Sequence, residues 1–294
     1  MKLTIEAFEQ HNTEQNTHTI VNNEFLTNSK NLKSIFKNDI QALVCEELGV
    51  DKTYLYLNAD SSLTDNNLEN LRSKTYRLQK GEPLAYILGY KYFWDQKLSV
   101  TQDTLIPRAD TEVLIETVLG EIKHRKENLK ILDLGTGSGA IALALAGELP
   151  SSMVVAVDYS DKALEVAKQN AVDNSITNVK FIQSDWYKSL QGFKFDLIVS
   201  NPPYIDNDDN DLDYNVKSYE PARALFARDN GLADIEIIVS QARQYLNKNG
   251  GMYIEHGYTQ AEVVSRIYSK YGFGAIETIK DLNNKDRCTK AFLL

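Results

Sequence analysis

From Leu32 onward apolar residues return at helical spacing, at Ile35, Phe36, Ile40, Leu43, Val44 and Leu48, and stop at Gly49. A face renewed every three or four residues predicts an amphipathic helix. A second helix is expected after Thr64, through Leu68, Leu71, Tyr76 and Leu78 to a stop at Gly81, so residues 31–90 read as a small helical domain. Before it, residues 1–30 are rich in Asn, Thr and Gln without periodicity and read as a polar lead-in. In residues 91–104 apolar and polar positions alternate around Asp95 and Gln96, the pattern of a β-hairpin linking two domains.

Residues 105–294 follow a different rhythm. Short β-rich runs, KILDLG, MVVAVD, VKFIQSD, FDLIVSN and GGMYIEH, alternate with expected helices from Ile141 to Leu149, from Asp161 to Asp173 and over about 232–247. Such alternation predicts an α/β domain with a mostly parallel sheet covered on both faces. The closing residues 272–294 offer two strands around a polar turn, placed to close the sheet antiparallel.

Composition narrows the function. No apolar run approaches the roughly 18 residues of a membrane span, and the first residues lack an apolar stretch of signal-peptide length. A cytoplasmic protein is expected. The net charge of −9 opposes a broad phosphate-tracking surface, so no stable nucleic-acid complex is expected. Arg72, Lys74, Arg77 and Lys80 form a local basic group that reads as a solvated helix face. Cys45 and Cys288 are far apart with no CxxC, and read as packing residues.

In ILDLGTGSGAIALALAG an apolar strand turns through Gly135, Thr136, Gly137, Ser138 and Gly139 into a helix. Glycines let a ligand approach the backbone, and a helix start offers unpaired amides. Asp158 ends the next strand at the spacing of a ribose-binding carboxylate. Together they describe a nucleoside-cofactor site. The glycines alone also satisfy a loose dinucleotide fingerprint, but Asp133 before the turn would repel a pyrophosphate and suits the ammonium end of S-adenosylmethionine. Asp185 and Trp186 close the third strand, where they can accept from an adenine amino group and cover its ring.

The stretch FDLIVSNPPYIDNDDND breaks off at Asn201, on the carboxyl edge where open α/β sheets place ligands. Pro202 and Pro203 stiffen the turn and remove two N–H groups. The Asn201 oxygen and the Pro202 carbonyl make two adjacent acceptors, matched to a planar –NH2 group, with Tyr204 as a wall. Such acceptors favour the pyramidal nitrogen whose lone pair can meet a sulfonium methyl. No general base is required, and His256 reads as structural. The following acids do not make a calcium loop, since an EF-hand begun at Asp206 has Asp211 at the glycine position and Lys217 at the bidentate glutamate; no metal is expected.

The motifs GEPLAYILGYKYFW, LIPRADTE, ILDLGTGSGAIALALA, QSDWY, VSNPPYI, YEPARAL and EHG together resemble the PrmC/HemK family of N5-glutamine methyltransferases, from about residue 35 to the C-terminus. The resemblance implies a Rossmann-like class I S-adenosylmethionine-dependent methyltransferase domain after a helical substrate-recognition domain. It implies that Gly135, Thr136, Gly137, Ser138, Gly139, Asp158, Asp185, Trp186 and Asn201 hold S-adenosylmethionine. It also implies that Asn201, Pro202, Pro203 and Tyr204 bind the acceptor, the glutamine in the Gly-Gly-Gln motif of class I peptide-chain release factors. A monomer is expected. Ala109 stands where the family usually has proline, beside Arg108 and Glu112, which read as a simple pair. The competing readings are an adenine-N6 methyltransferase on DNA or RNA, a nicotinamide-dependent oxidoreductase on the same glycine turn, and a noncatalytic docking protein.

Overall fold

The computed structural model describes residues 30–58, 63–122, 128–209 and 213–293, with residues 30–37 described by their backbone alone. The expected lead-in, but for Lys30, lies outside the described residues. The chain divides after Leu88 into two compact units.

The smaller unit is helical, with α1 (Lys30–Leu48), α2 (Lys52–Leu57), α3 (Asp65–Gln79) and α4 (Leu84–Leu88). The periodic stretches gave α1 and α3; α2 and α4 are too short to display a period. Asp51 caps α2 by accepting from Tyr54 N at 2.7 Å, and Thr64 caps α3 by accepting from Asn67 N at 3.2 Å. Leu43, Val44, Leu55, Leu71, Leu78 and Ile87 form its core. Of the expected basic face, Lys74 pairs with Glu47 at 2.7 Å and Arg77 with Glu82 at 2.6 Å, while Arg72 and Lys80 are exposed, Lys80 with its ammonium 5.3 Å from the Tyr76 ring centre.

The larger unit opens with an antiparallel hairpin, β1 (Tyr90–Phe93) and β2 (Gln96–Ser99). The hairpin is packed into this unit, for Phe93 and Leu98 join the core beneath the sheet. After α5 (Glu112–Ile122) come β3 (Lys130–Leu134), α6 (Ala140–Glu148), β4 (Met153–Asp158), α7 (Asp161–Asp173), β5 (Val179–Gln183) and β6 (Phe195–Ser200). A minor parallel pair, β7 (Ile205–Asp206) and β8 (Phe226–Ala227), flanks α8 (Tyr214–Tyr219) and α9 (Ala222–Leu225). Then follow α10 (Ala233–Ala242), β9 (Leu246–Glu255), α11 (Ala261–Lys270), β10 (Phe273–Lys280) and β11 (Asp286–Leu293).

The seven-stranded sheet runs β10-β11-β9-β6-β3-β4-β5. Its strands from β9 to β5 are parallel, and β11 joins β9 and β10 antiparallel. The central strands are continuous apolar runs because helices cover both faces: Val154 to Val157 are buried without a break. The helix expected over 232–247 ends at Ala242, since Leu246 already pairs with Phe195 in the sheet. Both cysteines pack as expected, Cys288 in the core and Cys45 against the helical cluster.

One buried amide ties the hairpin to the glycine turn. Asn170 of α7, fully buried, accepts from Ser99 N at 2.7 Å and donates to Ser99 O at 3.0 Å and Ser138 O at 2.8 Å. Removing it strands a buried amide and two carbonyls. Asn170→Ala is therefore expected to cost about 3 kcal/mol, read as a lower urea midpoint at unchanged m-value; an unaltered midpoint would show that these groups are satisfied without it.

Candidate active site

β3, β4, β5 and β6 all end at one edge of the sheet, and a cavity of about 520 Å³ opens there. Gly135, Gly137, Asp158, Asp185, Trp186, Asn201 and Pro203 line it, so three separate sequence motifs meet at one place. Thr136, Ser138, Gly139, Pro202 and Tyr204 stand outside this lining. The Thr136 hydroxyl donates to Asp133 Oδ2 at 2.6 Å, and Gly139, in the left-handed region, starts α6.

The glycine turn differs from its expected form in one respect. Three of its amides are turned to β4: Gly135 N and Thr136 N both donate to Val157 O at 2.9 Å, and Gly137 N donates to Asp158 Oδ2 at 2.9 Å. β4 lies beside the turn and takes its donors. A pyrophosphate site needs such amides free. Instead the turn orients a carboxylate, since Ser160 N donates to Asp158 Oδ1 at 2.8 Å. Each Asp158 oxygen keeps a lone pair for a ligand. Burial raises the Asp158 pKa, against the two amides and the nearby Arg223 charge that favour its anion.

The wall is acidic. Among the described residues, Asp103, Asp158, Asp185 and Asp234 face the cavity against the guanidinium of Arg223, which stacks 3.3 Å over the Tyr159 ring. This excess suits a ligand carrying positive charge and opposes a polyphosphate. Trp186 lies over the turn, where a Cβ at Gly135 would touch its ring at 3.4 Å. Its indole N–H binds Asp234, a carboxyl otherwise raised by half-burial. Asp185 is partly engaged by Lys188 at 2.7 Å. Asp133 is fully buried behind the turn, outside the lining; burial pushes it up to about 7, and its Oδ1 has no hydrogen-bond partner. These features fit a nucleoside with a cationic tail: glycines that leave room, an oriented carboxylate, an aromatic wall and acidic surroundings.

The corner after β6 is held from several sides. Asn201 Nδ2 donates to Thr111 Oγ1 at 3.1 Å. The Tyr204 hydroxyl turns inward and donates to Glu255 Oε1 at 3.2 Å, so its ring packs against the core rather than walling the cavity. Gln260 Nε2 donates to Tyr204 O and to Asn230 O, each at 3.0 Å, and Gln260 Oε1 accepts from Gly257 N at 2.9 Å. Asp229, Asn230 and Gly231 follow one another in the left-handed region, which brings Gly231 against the Tyr204 carbonyl.

Arg108 and Glu112 are not a pair. Arg108 binds the buried Glu220, which also accepts from Ile106 N at 3.1 Å, while Glu112 accepts from Trp94 N at 3.0 Å. Ala109 is exposed at the first position of a short 3-10 turn, Ala109–Thr111. His256 is fully buried between the Gly257 carbonyl at 2.9 Å and Thr289 Oγ1 at 2.8 Å, with its pKa lowered by burial, which fits the structural role expected of it. In the acidic stretch after Tyr204, Asp208 N donates to Asp206 Oδ1 and Asp213 caps α8; residues 210–212 lie outside the described residues. Sequence reasoning did not single out Thr111, Arg223, Asp234, Glu255 or Gln260 for the site, although Thr111, Arg223 and Glu255 sit within LIPRADTE, YEPARAL and EHG.

Comparison with known proteins finds methyltransferase relatives. A methyltransferase domain model matches residues 125–289 and a PrmC N-terminal domain model matches residues 32–89. The release factor glutamine methyltransferase of Francisella tularensis is 63% identical over 257 residues, 87% of this chain and 90% of that protein. The release factor glutamine methyltransferase of Escherichia coli is 40% identical over 253 residues, 86% and 91% of the two chains. A solved methyltransferase from Pyrococcus furiosus shares the fold, with a TM-score of 0.50 at 18% identity over 75% of this chain and 98% of its own.

Gly231 gives the corner a test. A Cβ there would collide with the Tyr204 carbonyl in a backbone conformation that disfavours side chains. Gly231→Ala is expected to destabilise the fold by about 2 kcal/mol and to lower catalytic turnover beyond what the folded fraction explains. Full turnover in the folded variant would mean that the corner tolerates displacement.

Proposed function

The chain belongs to the release factor glutamine methyltransferase family, and from that membership we propose that it methylates the side-chain amide nitrogen, N5, of the glutamine in the Gly-Gly-Gln motif of class I release factors, using S-adenosylmethionine. The observation that carries the reading is the position of Asn201: it lines the cavity that Asp158 lines, with Nδ2 committed to Thr111 and Oδ1 left to accept.

In this reading Asp158, aligned by the Gly137 and Ser160 amides, accepts from ribose hydroxyls. Gly135 and Gly137 leave room for the ligand, Trp186 bounds it, and the surrounding carboxylates favour its positive charge. When bound, S-adenosylmethionine supplies an electrophilic methyl group. The other contributions are the chain's own.

An amide nitrogen is a weak nucleophile because its lone pair is delocalised into the carbonyl. The Asn201 oxygen and the Pro202 carbonyl accept its two hydrogens, and they do so more strongly as the nitrogen gains positive character. That interaction is larger in the transition state than in the ground state, which is the condition for raising the rate. Water takes the proton that the methylated nitrogen releases, so no side-chain base is assigned. Pro202 and Pro203 keep the acceptors fixed, which limits reorganisation during reaction. The helical unit, matched by the PrmC N-terminal model, is assigned to binding the protein substrate.

The test is mass spectrometry of a purified class I release factor incubated with this protein and S-adenosylmethionine, beside a release factor whose Gly-Gly-Gln glutamine is replaced. A single methyl increment mapped to that glutamine and absent from the control is expected. Methyl transfer to DNA or RNA adenine instead would overturn the substrate assignment. Asn201→Ala is expected to lower kcat by roughly a hundredfold or more while cofactor affinity stays within several-fold. Asp158→Ala should weaken cofactor binding by about tenfold or more, the loss of a charge-assisted hydrogen bond; isothermal titration giving an unchanged Kd would refute its ribose role.

A further inference from the structure

An asparagine side chain can turn either its oxygen or its nitrogen toward a neighbour, and only the oxygen accepts from an amino group. Asn201 Nδ2 donates to Thr111 Oγ1 at 3.1 Å, which leaves Oδ1 for the cavity. Thr111 alone cannot enforce this orientation. A hydroxyl has one proton and two lone pairs, so it would serve equally well as donor to a flipped Asn201.

The group on the far side of Thr111 removes that choice. Glu255, 1% exposed at the end of β9, lies beside Thr111, whose hydroxyl favours its anion, and its Oε2 is buried with no hydrogen-bond partner. An ionised carboxylate only accepts. The Thr111 proton is therefore drawn to Glu255, and its oxygen is left to accept from Asn201 Nδ2. Glu255 Oε1 meanwhile accepts from the Tyr204 hydroxyl at 3.2 Å. A single buried carboxylate thus reaches both ends of the four-residue corner.

We propose that Glu255 is a positioning residue: through Thr111 it fixes which atom of the Asn201 amide faces the acceptor nitrogen, and through Tyr204 it holds the far end of the same corner. The inference rests on amide methylation being the reaction. Glu255 touches neither substrate nor cofactor in this scheme. Its effect is to keep an acceptor where a flipped amide would place a donor against the substrate –NH2, with two sets of N–H groups opposed.

Glu255→Gln preserves size and the contact with Tyr204, but it brings an –NH2 that can donate to Thr111 and so release the Asn201 amide to flip. Assayed well above the pH of about 7 to which burial pushes this carboxyl, E255Q is expected to lower kcat by roughly a hundredfold, the loss of one preorganised hydrogen-bond partner. The Kd for S-adenosylmethionine by titration and the KM for the release factor should stay within about threefold. Thr111→Val should show the same split, and Thr111→Ser, which keeps the hydroxyl, should recover most of the rate. The double variant E255Q/T111V should be no slower than the worse single variant, because both act on the Asn201 amide through Thr111.

A kcat for E255Q within about twofold of wild type, below any measurable loss of a preorganised partner, would overturn the proposal. So would T111S as slow as T111V, or losses that multiply in the double variant. If E255Q does not fold, the T111V and T111S comparison decides in the same way. A wild-type protein that leaves the glutamine unmodified refutes the amide-methylation reading and this inference together; an active wild type beside an unimpaired E255Q refutes the inference alone.

Discussion

Two consecutive prolines leave the corner after β6 short of amide donors, so side chains from elsewhere must hold it. Thr111 fixes its first residue, Glu255 and Gln260 fix its last, and Gly231 packs against the carbonyl of that last residue, Tyr204. Each anchor comes from a different part of the larger unit. The sheet makes this possible, because β6 and β9 are parallel neighbours and bring Asn201 and Glu255 to the same edge. An isolated NPPY turn would be stiff without being aimed. Aim comes from the hydrogen bonds, which are partly buried, where an unmatched polar group is costly.

The cofactor side obeys a related constraint. A glycine turn between strand and helix is compatible with many nucleotides, and selection lies in where its amides go. Here β4 takes three of them, through the Val157 carbonyl and the Asp158 carboxylate, and the cavity is left with carboxylates and little positive charge. The same hydrogen bonds that disfavour a phosphate align Asp158. The turn is further tied to the hairpin through Asn170, so the cavity wall is continuous with the core rather than a loop laid on its surface.

Much of this was legible in the amino-acid pattern. Central parallel strands are covered on both faces, so MVVAVD and FDLIVS stand out as largely apolar runs, and the strand order then carries Gly135, Asp158, Trp186 and Asn201 to one edge. Proline and glycine act locally, which is why the two motifs were readable. The roles of Thr111 and Glu255 were not, although both lie in quoted motifs, because they meet the corner across 90 and 51 residues of chain and nothing local names their partners. Arg108 and Glu112 sit close in sequence and suggest each other, yet Arg108 finds Glu220 across 112 residues. The inward turn of Tyr204 was equally hidden, since an aromatic residue beside a site can face either way until its hydroxyl partner is known. The helix before β9 was drawn too long because a residue such as Leu246 suits a helix face and a strand alike.

The central claim is that the corner presents two acceptors to a primary amide. A crystal structure of the protein with S-adenosylhomocysteine and a Gly-Gly-Gln peptide would test it most directly. The account predicts the glutamine nitrogen at about 3 Å from both Asn201 Oδ1 and the Pro202 carbonyl oxygen. A glutamine whose carbonyl oxygen instead accepts from Asn201 Nδ2, with its nitrogen turned away from Pro202, would contradict it.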